Sequence, residues 1–491
     1  MALEGISVVV VGLARSGVAA AEFLARRGAS VVATDLKAED ELPEEALRLR
    51  SLGVRLDLEG HRPDTFAGAS MVVVSPGVPW ERPELEAARE AGAEVMAEIE
   101  LAFRHLHGRL AAVTGTKGKS TTTAALGAVL REAGLDVRVG GNIGAPLIGL
   151  VEGSTEATVF AVEVSSFQLE GISRFHPQVA VWLNLSPDHL DRHHSLDAYV
   201  AAKARVFARQ EATDWAVVNA DDPVVLAEAR RARARLLLLR VTGEPLAEGD
   251  GAFFREGAAW MRRDGREERL FALDDLQVPG VHLAGDLLAA AAVGRLLGAS
   301  GEDVARGIAG FHGVEHVLEH VATIDGIAFF NDSKATNVAA AARGVEAFDG
   351  RVLVILGGRY KGGDFALLAP RLRARGSRVL AIGEAGERIH AALGADVPVE
   401  ACSGLGEAVE RAFALAEPGD TVLLAPACSS FDMFRDYAER GRRFKEEVRR
   451  LGDKTAGESH GPDAHSGGLR SASTGFTPGD ADIDEDPERG R

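Results

Sequence analysis

Residues 110–134 read LAAVTGTKGKSTTTAALGAVLREAG, and this stretch decides the class of fold. An apolar strand-like run ends at Thr114. The glycine loop Gly115-Thr116-Lys117-Gly118-Lys119-Ser120-Thr121 follows directly, and an alanine-rich helical stretch follows that. Strand, glycine loop, Lys-Ser and helix in this order form a phosphate cradle. Backbone N–H groups and the helix N-terminus face the phosphates, the lysine neutralises the β/γ oxygens, and the hydroxyl binds Mg²⁺. Two residues separate the glycines, where the standard loop has four. The expectation is ATP on Gly115, Thr116, Lys117, Gly118, Lys119, Ser120 and Thr121; a plain glycine-rich turn into a helix is the other reading of the same residues.

Working outward, short β-branched runs alternate with Ala/Leu-rich helical stretches to about residue 450, the pattern of parallel sheets covered by helices. The class is α/β. A first block, 1–107, opens with a strand at Val8–Val11, the turn Gly12-Leu13-Ala14-Arg15-Ser16-Gly17, a helix through Arg27 and a strand at Ser30–Thr34. A second, 108–313, carries the glycine loop and a charged, hairpin-like stretch near 250–275. A third, 314–452, has strands around Ile327–Phe330, Val352–Leu356, Val379–Ile382 and Thr421–Ala425. From Asp453 to Arg491 the chain is rich in Gly, Ser, Pro and Asp, without apolar periodicity, and is expected to be a disordered tail.

The 491 residues carry a formal net charge of −18, and the stretch from Asp453 holds only nine acids and four bases of that balance. The body is acidic as well, which argues against nucleic acid and anionic membrane surfaces as partners. An anionic substrate must then be met by local lysines, helix N-termini or metal ions. Cys402 and Cys428 are the only cysteines, too few for a disulfide framework and consistent with a reducing cytoplasm. The first apolar run lacks a basic region before it and is broken by Gly12, Arg15 and Gly17, so neither a signal peptide nor membrane insertion is expected.

Other polar clusters fall just past predicted strands, where parallel sheets build their sites. Glu163 ends the run Thr158–Val164, and His189 follows VAVWLNLS in the segment Pro187-Asp188-His189-Leu190-Asp191-Arg192. Both can converge on the glycine loop as ligands of divalent ions bridging phosphates. Read singly, they are a capping acid and a solvated loop histidine. In SLDAYVAAKARVFARQ, Ser195 is a plausible N-cap and Lys203 falls on the apolar stripe, at i+7 from Leu196. Such a lysine commonly snorkels to water. Alternatively, burial favours the neutral amine, which reacts with CO₂ to give a carbamate, turning a cation into a two-oxygen ligand. The third block adds Asn331-Asp332-Ser333-Lys334-Ala335-Thr336-Asn337, Gly357 to Phe365 with Lys361, and Pro426 to Asp432 with Ser430 and Phe431. Lys334 and Lys361, with the hydroxyls of Thr336 and Ser430, suit a small dicarboxylate.

Taken in order, GTKGKST, EVSSFQLE, DHLDRH, NDSKATN and PACSSFDMF resemble the Mur ligases, ATP-dependent amide-bond ligases of peptidoglycan synthesis, over about residues 1–450. The resemblance implies three domains: a Rossmann-like UDP-binding domain, a central P-loop ATPase domain with a parallel sheet, and a Rossmann-like C-terminal domain for the amino acid. The DSKATN element implies that D-glutamate is added to UDP-N-acetylmuramoyl-L-alanine through an acyl phosphate. Gly12-x-Ala14-x-x-Gly17 with Asp35, read alone, suggests a dinucleotide fold; the resemblance instead implies UDP-substrate contacts from Arg15, Ser16, Asp35, Lys37, Ser75 and Gly77, with Asn142 meeting the muramoyl part.

It further implies catalytic roles for Lys119, Glu163, His189, Lys203, His316, Lys334 and Lys361, and a nucleotide role for Asp332. Two Mg²⁺ ions are implied, one on Ser120 and Glu163, the other on His189 and carbamylated Lys203. D-Glutamate is implied at Thr336, Lys361, Ser430 and Phe431. The expected partners are the small-molecule substrates, and the protein is expected to be a monomer. Two departures stand out: His282-Leu283-Ala284-Gly285-Asp286 lacks the asparagines usual at positions 283 and 286, and Val317 follows His316 where an arginine is common. A non-catalytic holder of the UDP precursor, and a family member of another amino-acid specificity, remain alternatives at this point.

Overall fold

Three runs of short apolar segments assemble into three separate sheets, described by a computed structural model over residues 3–246, 248–276 and 281–458. The first comprises β1 Ser7–Val11, β2 Ser30–Thr34, β3 Arg55–Asp57, β4 Met71–Val74 and β5 Glu94–Ala97, all parallel in the order β3-β2-β1-β4-β5. β1 and β4 are buried almost throughout, as strands covered on both faces must be. The strand order reverses at β1, so a crevice opens beyond the carboxyl ends of β1 and β4. The turn that enters it is compact: a Cβ on Gly17 would collide with the Gly12 carbonyl.

The second sheet holds β6 Arg109–Thr114, β7 Val137–Gly141, β8 Val159–Glu163, β9 Val179–Trp182, β10 Trp215–Asn219, β11 Arg235–Arg240, β12 Gly251–Arg255, β13 Ala258–Arg263 and β14 Arg266–Ala272. Its order is β14-β13-β12-β11-β10-β9-β6-β8-β7, parallel from β7 to β12 and antiparallel in the last three strands. The expected hairpin near 250–275 is thus a three-stranded meander. Its tight turns, Glu256-Gly257 and Asp264-Gly265, have positive φ at both residues, the twist that two-residue hairpin loops favour. β6 lies between β9 and β8, which puts the glycine loop at a reversal of strand order. The loop leads into helix Lys119–Glu132, which packs against the alanine-rich helix Val281–Leu296.

The third sheet, β15 Glu319–Ile324, β16 Ile327–Asn331, β17 Val352–Gly357, β18 Arg378–Ile382, β19 Val399–Ala401 and β20 Thr421–Leu424, runs in the order β15-β16-β20-β17-β18-β19 with only β15 antiparallel. Helix Tyr437–Glu458 buries Arg440, Phe444, Val448 and Leu451, spaced along one face. It corrects one expectation: residues 453–458 are helical rather than the start of a disordered tail. In this last stretch Lys454 pairs with Glu410 at 2.6 Å and the Thr455 hydroxyl donates to the Leu451 and Gly452 carbonyls. The rest of that stretch, 459–491, lies outside the described residues. No helix among the described residues is long and apolar enough to cross a membrane.

At the seam between the first two sheets sits a buried acid. Glu98 Oε1 accepts from Ile148 N at 2.7 Å, while Oε2 is buried without a partner. Burial raises its pKa from 4.5 to about 7, so the folded state holds the proton where the unfolded chain releases it. The sign follows: the stability present below pH 4.5 is lost as pH rises through 7, on the order of 3 kcal/mol. Melting temperatures of the parent are expected to fall a few degrees between pH 5 and pH 8 relative to Glu98→Gln; parallel curves for the two proteins would show that Glu98 ionises freely.

Candidate active site

The carboxyl ends of β6 and β8 bring the first functional group together. In the glycine loop, Gly118 has φ +81°, and a Cβ there would strike the Asp286 carboxyl group. The left-handed backbone is what favours glycine here. Just beyond it Ser120 Oγ donates to Glu163 Oε2 at 2.7 Å, Asn142 Nδ2 donates to Glu163 Oε1 at 2.8 Å, and Lys334 Nζ from the third sheet's domain donates to Ser120 Oγ at 3.1 Å. Residues from three parts of the chain meet on one carboxylate and one hydroxyl. Lys119 Nζ donates to the Gly115 and Thr116 carbonyls at 3.0 and 3.1 Å, and burial lowers its pKa.

A cleft of 940 Å³ runs from this loop between the second and third sheets' domains. Lys117, Lys119, Asn184, Asp286, Asp332 and Arg343 are among its walls. Asn184 was not singled out from sequence: its Oδ1 accepts from Lys117 N at 2.8 Å and its Nδ2 donates to Lys117 O at 3.1 Å, bracing the loop. Its signal was an amide directly after the apolar run of β9. Asp332, in the NDSKATN segment, is buried and pushed up to about 7 by burial.

Lys203 does not snorkel. It is 1% exposed, donates to Gly115 O at 2.8 Å and Thr114 Oγ1 at 3.4 Å, and lies over the Tyr199 ring. Burial, helped by the charge of Lys119, lowers its pKa to about 7. Ser195 caps helix Leu196–Ala204, accepting from Ala198 N at 3.1 Å. The buried face is Tyr199, Ala202, Lys203 and Val206, while Leu196, expected on that stripe, is exposed at the helix's first turn. Tyr199 OH meets Thr116 Oγ1 at 3.2 Å, a second contact to the loop that sequence reasoning missed.

His189 stands in left-handed backbone at φ +54°, half-exposed, with its ring edge-on to Phe167. Both His189 and Lys203 lie near enough to His193 for their charges to lower its pKa, after the larger effect of burial. Among the described residues no hydrogen bond joins His189 to Lys203, and no three His, Cys, Asp or Glu side chains gather as a ready-made ion site. The hard oxygen donors of Ser120 and Glu163, adjacent at the phosphate loop, fit one divalent cation.

His316, expected to be catalytic, lies directly before Val317 and Leu318 of the cleft wall. It is buried at φ +67°, Asn331 Nδ2 lies 2.9 Å from its Nδ1, and a Cβ on Gly441 would clash with its ring. Its link to the cleft is its carbonyl, which accepts from Lys334 N at 3.1 Å. Thr336, Lys361, Ser430 and Phe431 lie in the loops that follow β16, β17 and β20, three neighbouring strands, with Ser430 buried and Phe431 60% exposed. Arg440, missed in the sequence, ties these loops together by donating to Ser333 Oγ, Ser333 O and Cys428 O at 3.0, 2.8 and 3.2 Å. Its signal was hidden because a basic helix such as AERGRRFKEEVRR reads as a solvated face.

In the N-terminal crevice Asp35 Oδ2 accepts from Leu13 N at 2.6 Å and Oδ1 from Lys37 N at 3.0 Å, while Ser75 Oγ donates to Gly12 O at 2.8 Å. Arg15 Nη1 donates to Gly144 O at 3.2 Å, linking this crevice to the loop that carries Asn142. Ser16 is the second residue of helix Arg15–Arg26 after the turn, and Gly77 lies in the exposed loop after β4.

Of the two sequence departures, Asp286 has a structural consequence. Its carboxyl group lies against Gly118, and burial raises its pKa to about 7. Below pH 7 the neutral acid tolerates an anion in the loop; above it the carboxylate repels one. ATP affinity of the parent is expected to weaken up to about tenfold between pH 6 and 8.5, and Asp286→Asn to remove most of that slope. Equal slopes in calorimetric titrations of the two proteins would refute the assignment.

Comparison with known proteins accords with this geometry. Three family descriptions match in succession: the Mur ligase MurD-like N-terminal domain over 6–97, the Mur ligase middle domain over 113–294, and the Mur ligase glutamate ligase domain over 318–428. UDP-N-acetylmuramoylalanine–D-glutamate ligase of Geobacter metallireducens is 46% identical over 92% of this chain and 99% of its own length. The ligase of the same name from Acidobacterium capsulatum is 45% identical over 91% and 97%. Among solved structures, the UDP-N-acetylmuramate-alanine ligase of Thermotoga maritima superimposes with a TM-score of 0.56 at 20% identity, covering 91% of this chain and all of that one. The MurF ligase of the same organism, solved with ADP, gives 0.55 at 17% identity over 91% and 96%. With three matched domains in order and such identity along nearly its whole length, the chain belongs to the Mur ligase family, in the branch of the D-glutamate ligases.

Proposed function

We propose that the protein joins the amine of D-glutamate to the lactoyl-L-alanine carboxylate of UDP-N-acetylmuramoyl-L-alanine, consuming ATP, in the building of peptidoglycan precursors. The single observation that carries the reading is the meeting of Ser120, Asn142, Glu163 and Lys334 beside a phosphate-binding loop. The substrate carboxylate takes the γ-phosphoryl group, leaving ADP and an acyl phosphate. The amine then attacks the acyl carbon, loses a proton and displaces phosphate. Positioning and electrostatics supply most of the catalysis for such transfers.

This chain's residues divide the work. The amides of Gly115–Thr121 and the Lys119 ammonium receive the β/γ oxygens. Lys334 crosses from the C-terminal domain to the same hydroxyl, so closure of that domain completes the charge array. One Mg²⁺ would be held by Ser120 and Glu163 and a second by His189 with a carbamylated Lys203; both would supply neutralisation of the negative charge of carboxylate and phosphates. The amine of Lys203, neutral above about pH 7 and buried beside Gly115, supports carbamylation. Arg15, Ser16, Asp35, Lys37, Ser75 and Gly77 are assigned to the UDP moiety, Asn142 to the muramoyl part, Asp332 to the nucleotide, and Thr336, Lys361, Ser430 and Phe431 to D-glutamate. His316 positions Lys334 through its carbonyl.

The reading places the domains at 1–107, 108–313 and 314–452, limits that enclose the three sheets and the three matched segments. It includes a monomer in the cytoplasm; two buried, unpaired cysteines fit the reducing compartment. The test is phosphate release with Mg-ATP and UDP-N-acetylmuramoyl-L-alanine, comparing D-glutamate with L-glutamate, L-alanine, L-lysine and meso-diaminopimelate. Release that depends on D-glutamate is expected. Release with another amino acid would overturn the specificity, and none with any would leave a non-catalytic holder of the precursor.

A further inference from the structure

Four cations line the nucleotide cleft, and three of them are engaged with protein oxygens. Lys117 Nζ reaches Asp188 at 3.5 Å, Lys119 donates to the Gly115 and Thr116 carbonyls, and Lys334 donates to Ser120. The fourth is Arg343. Among the described residues its guanidinium has neither a hydrogen bond nor a carboxylate within ion-pair distance. It is half-buried, and burial lowers its pKa despite the attraction of Asp332, Asp188 and Glu346. An arginine partly removed from water without a partner is costly, unless something arrives to meet it.

The helix that carries it explains where it points. In Val338–Glu346 and its cap, Ala340, Arg343, Gly344 and Ala347 all line the cleft, the i, i+3, i+4, i+7 set of a single face. Three of the four are small, so the face is flat and its one long side chain is the arginine. Gly344 lets the helix lie close to the Asp332 carboxyl group, 3.0 Å from where a Cβ would stand. Across the cleft is the glycine loop: Arg343 acts on Lys117 by direct repulsion, and both are drawn to Asp188. Two like charges facing one gap beside a phosphate-binding loop define a place for an anion with several oxygens. Val317, in the same wall, carries no charge.

We propose that Arg343 is the C-terminal domain's contact to the polyphosphate of the nucleotide, so that closing this domain adds a guanidinium to a site whose other cations come from the phosphate loop and Lys334. The planar fork of arginine matches two phosphate oxygens at once, which a lysine cannot reproduce. The contact also makes nucleotide affinity depend on the position of the third domain. This rests on the ATP-dependent reading above, and the measurements separate the two.

The test uses the full chain with Arg343→Ala and Arg343→Lys. For Arg343→Ala, KM for ATP and Kd for ADP are expected to rise on the order of 10–100-fold, as for a lost charge-assisted contact. KM for D-glutamate and for the UDP substrate should stay within about twofold and the melting temperature within about 2 °C, with Arg343→Lys recovering part of the loss. The ATP dependence of the alanine variant should also be less sensitive to salt. An unchanged Kd for ADP would overturn the proposal, as would a rise in all three KM values with a lower melting temperature, which marks a structural arginine. A parent protein that binds ADP but turns over no substrate would sink the ligase reading and leave the ADP titration to decide Arg343.

Discussion

Lys203→Ala is expected to lower turnover by at least about 100-fold, with formate, acetate or propionate restoring part of it. The side chain is buried, its ammonium would sit among carbonyl and hydroxyl oxygens beside Lys119, and its pKa is brought down to about 7 by burial. Carbamylation consumes the neutral amine and CO₂ and releases a proton, so its sign with pH is fixed. Below pH 7 the amine is protonated and the carbamate is disfavoured; above pH 7 it is favoured. The parent should therefore lose activity on the acid side of pH 7 and in CO₂-free buffer, reversibly on adding bicarbonate. Loss of activity in Lys203→Ala without carboxylate rescue would show that the lysine works as a plain donor to Gly115 O. Full activity would remove Lys203 from the mechanism altogether.

The second large effect is expected at Glu163. Its two oxygens accept from Ser120 and Asn142, and through Ser120 they are connected to Lys334 of the third domain. Glu163→Gln keeps the volume and removes the charge. It is expected to cost about 100- to 1000-fold in kcat with a raised Mg²⁺ requirement, while the fold survives because β8 is buried by its apolar neighbours rather than by this carboxylate. Titrating activity against Mg²⁺ separates this from misfolding. A variant with parental kcat and parental Mg²⁺ dependence would mean that Ser120 and Glu163 do not form the ion site.

Much of the architecture was legible because parallel strands buried on both faces write themselves as continuous apolar runs, and glycine loops beyond them have few other uses. The strands at Ser30–Thr34 and Val352–Gly357 and the cap at Ser195 fall where the residues indicated. The helical end at 453–458 was not legible, since its residues lack an apolar stripe and its contact to Glu410 comes from far away in sequence. Arg440 was hidden for a related reason: a basic, repetitive helix reads as solvated until a sheet edge and two loops are seen to close over one of its arginines. His316 stands in a suggestive segment, and only the fold shows that its side chain is buried beside Asn331 while its carbonyl accepts from Lys334 N.

The chain by itself determined the α/β class, the three blocks and the glycine loop, and it supplied the carboxylate, hydroxyl and lysines proposed for the chemistry, because each of these depends on residues within one strand, turn and helix. The tertiary structure alone decided which of them meet. Ser120, Asn142, Glu163 and Lys334 are separated by up to 214 positions, yet share hydrogen bonds. Lys203 becomes an amine of pKa about 7, and Asp286 and Asp332 become acids of pKa about 7, chiefly through burial. Arg343 looks like one more surface charge until the cleft places it opposite the phosphate loop. Local sequence sets the backbone and supplies the groups; desolvation and charge pairing across domains, which depend on distance in space, set what those groups do.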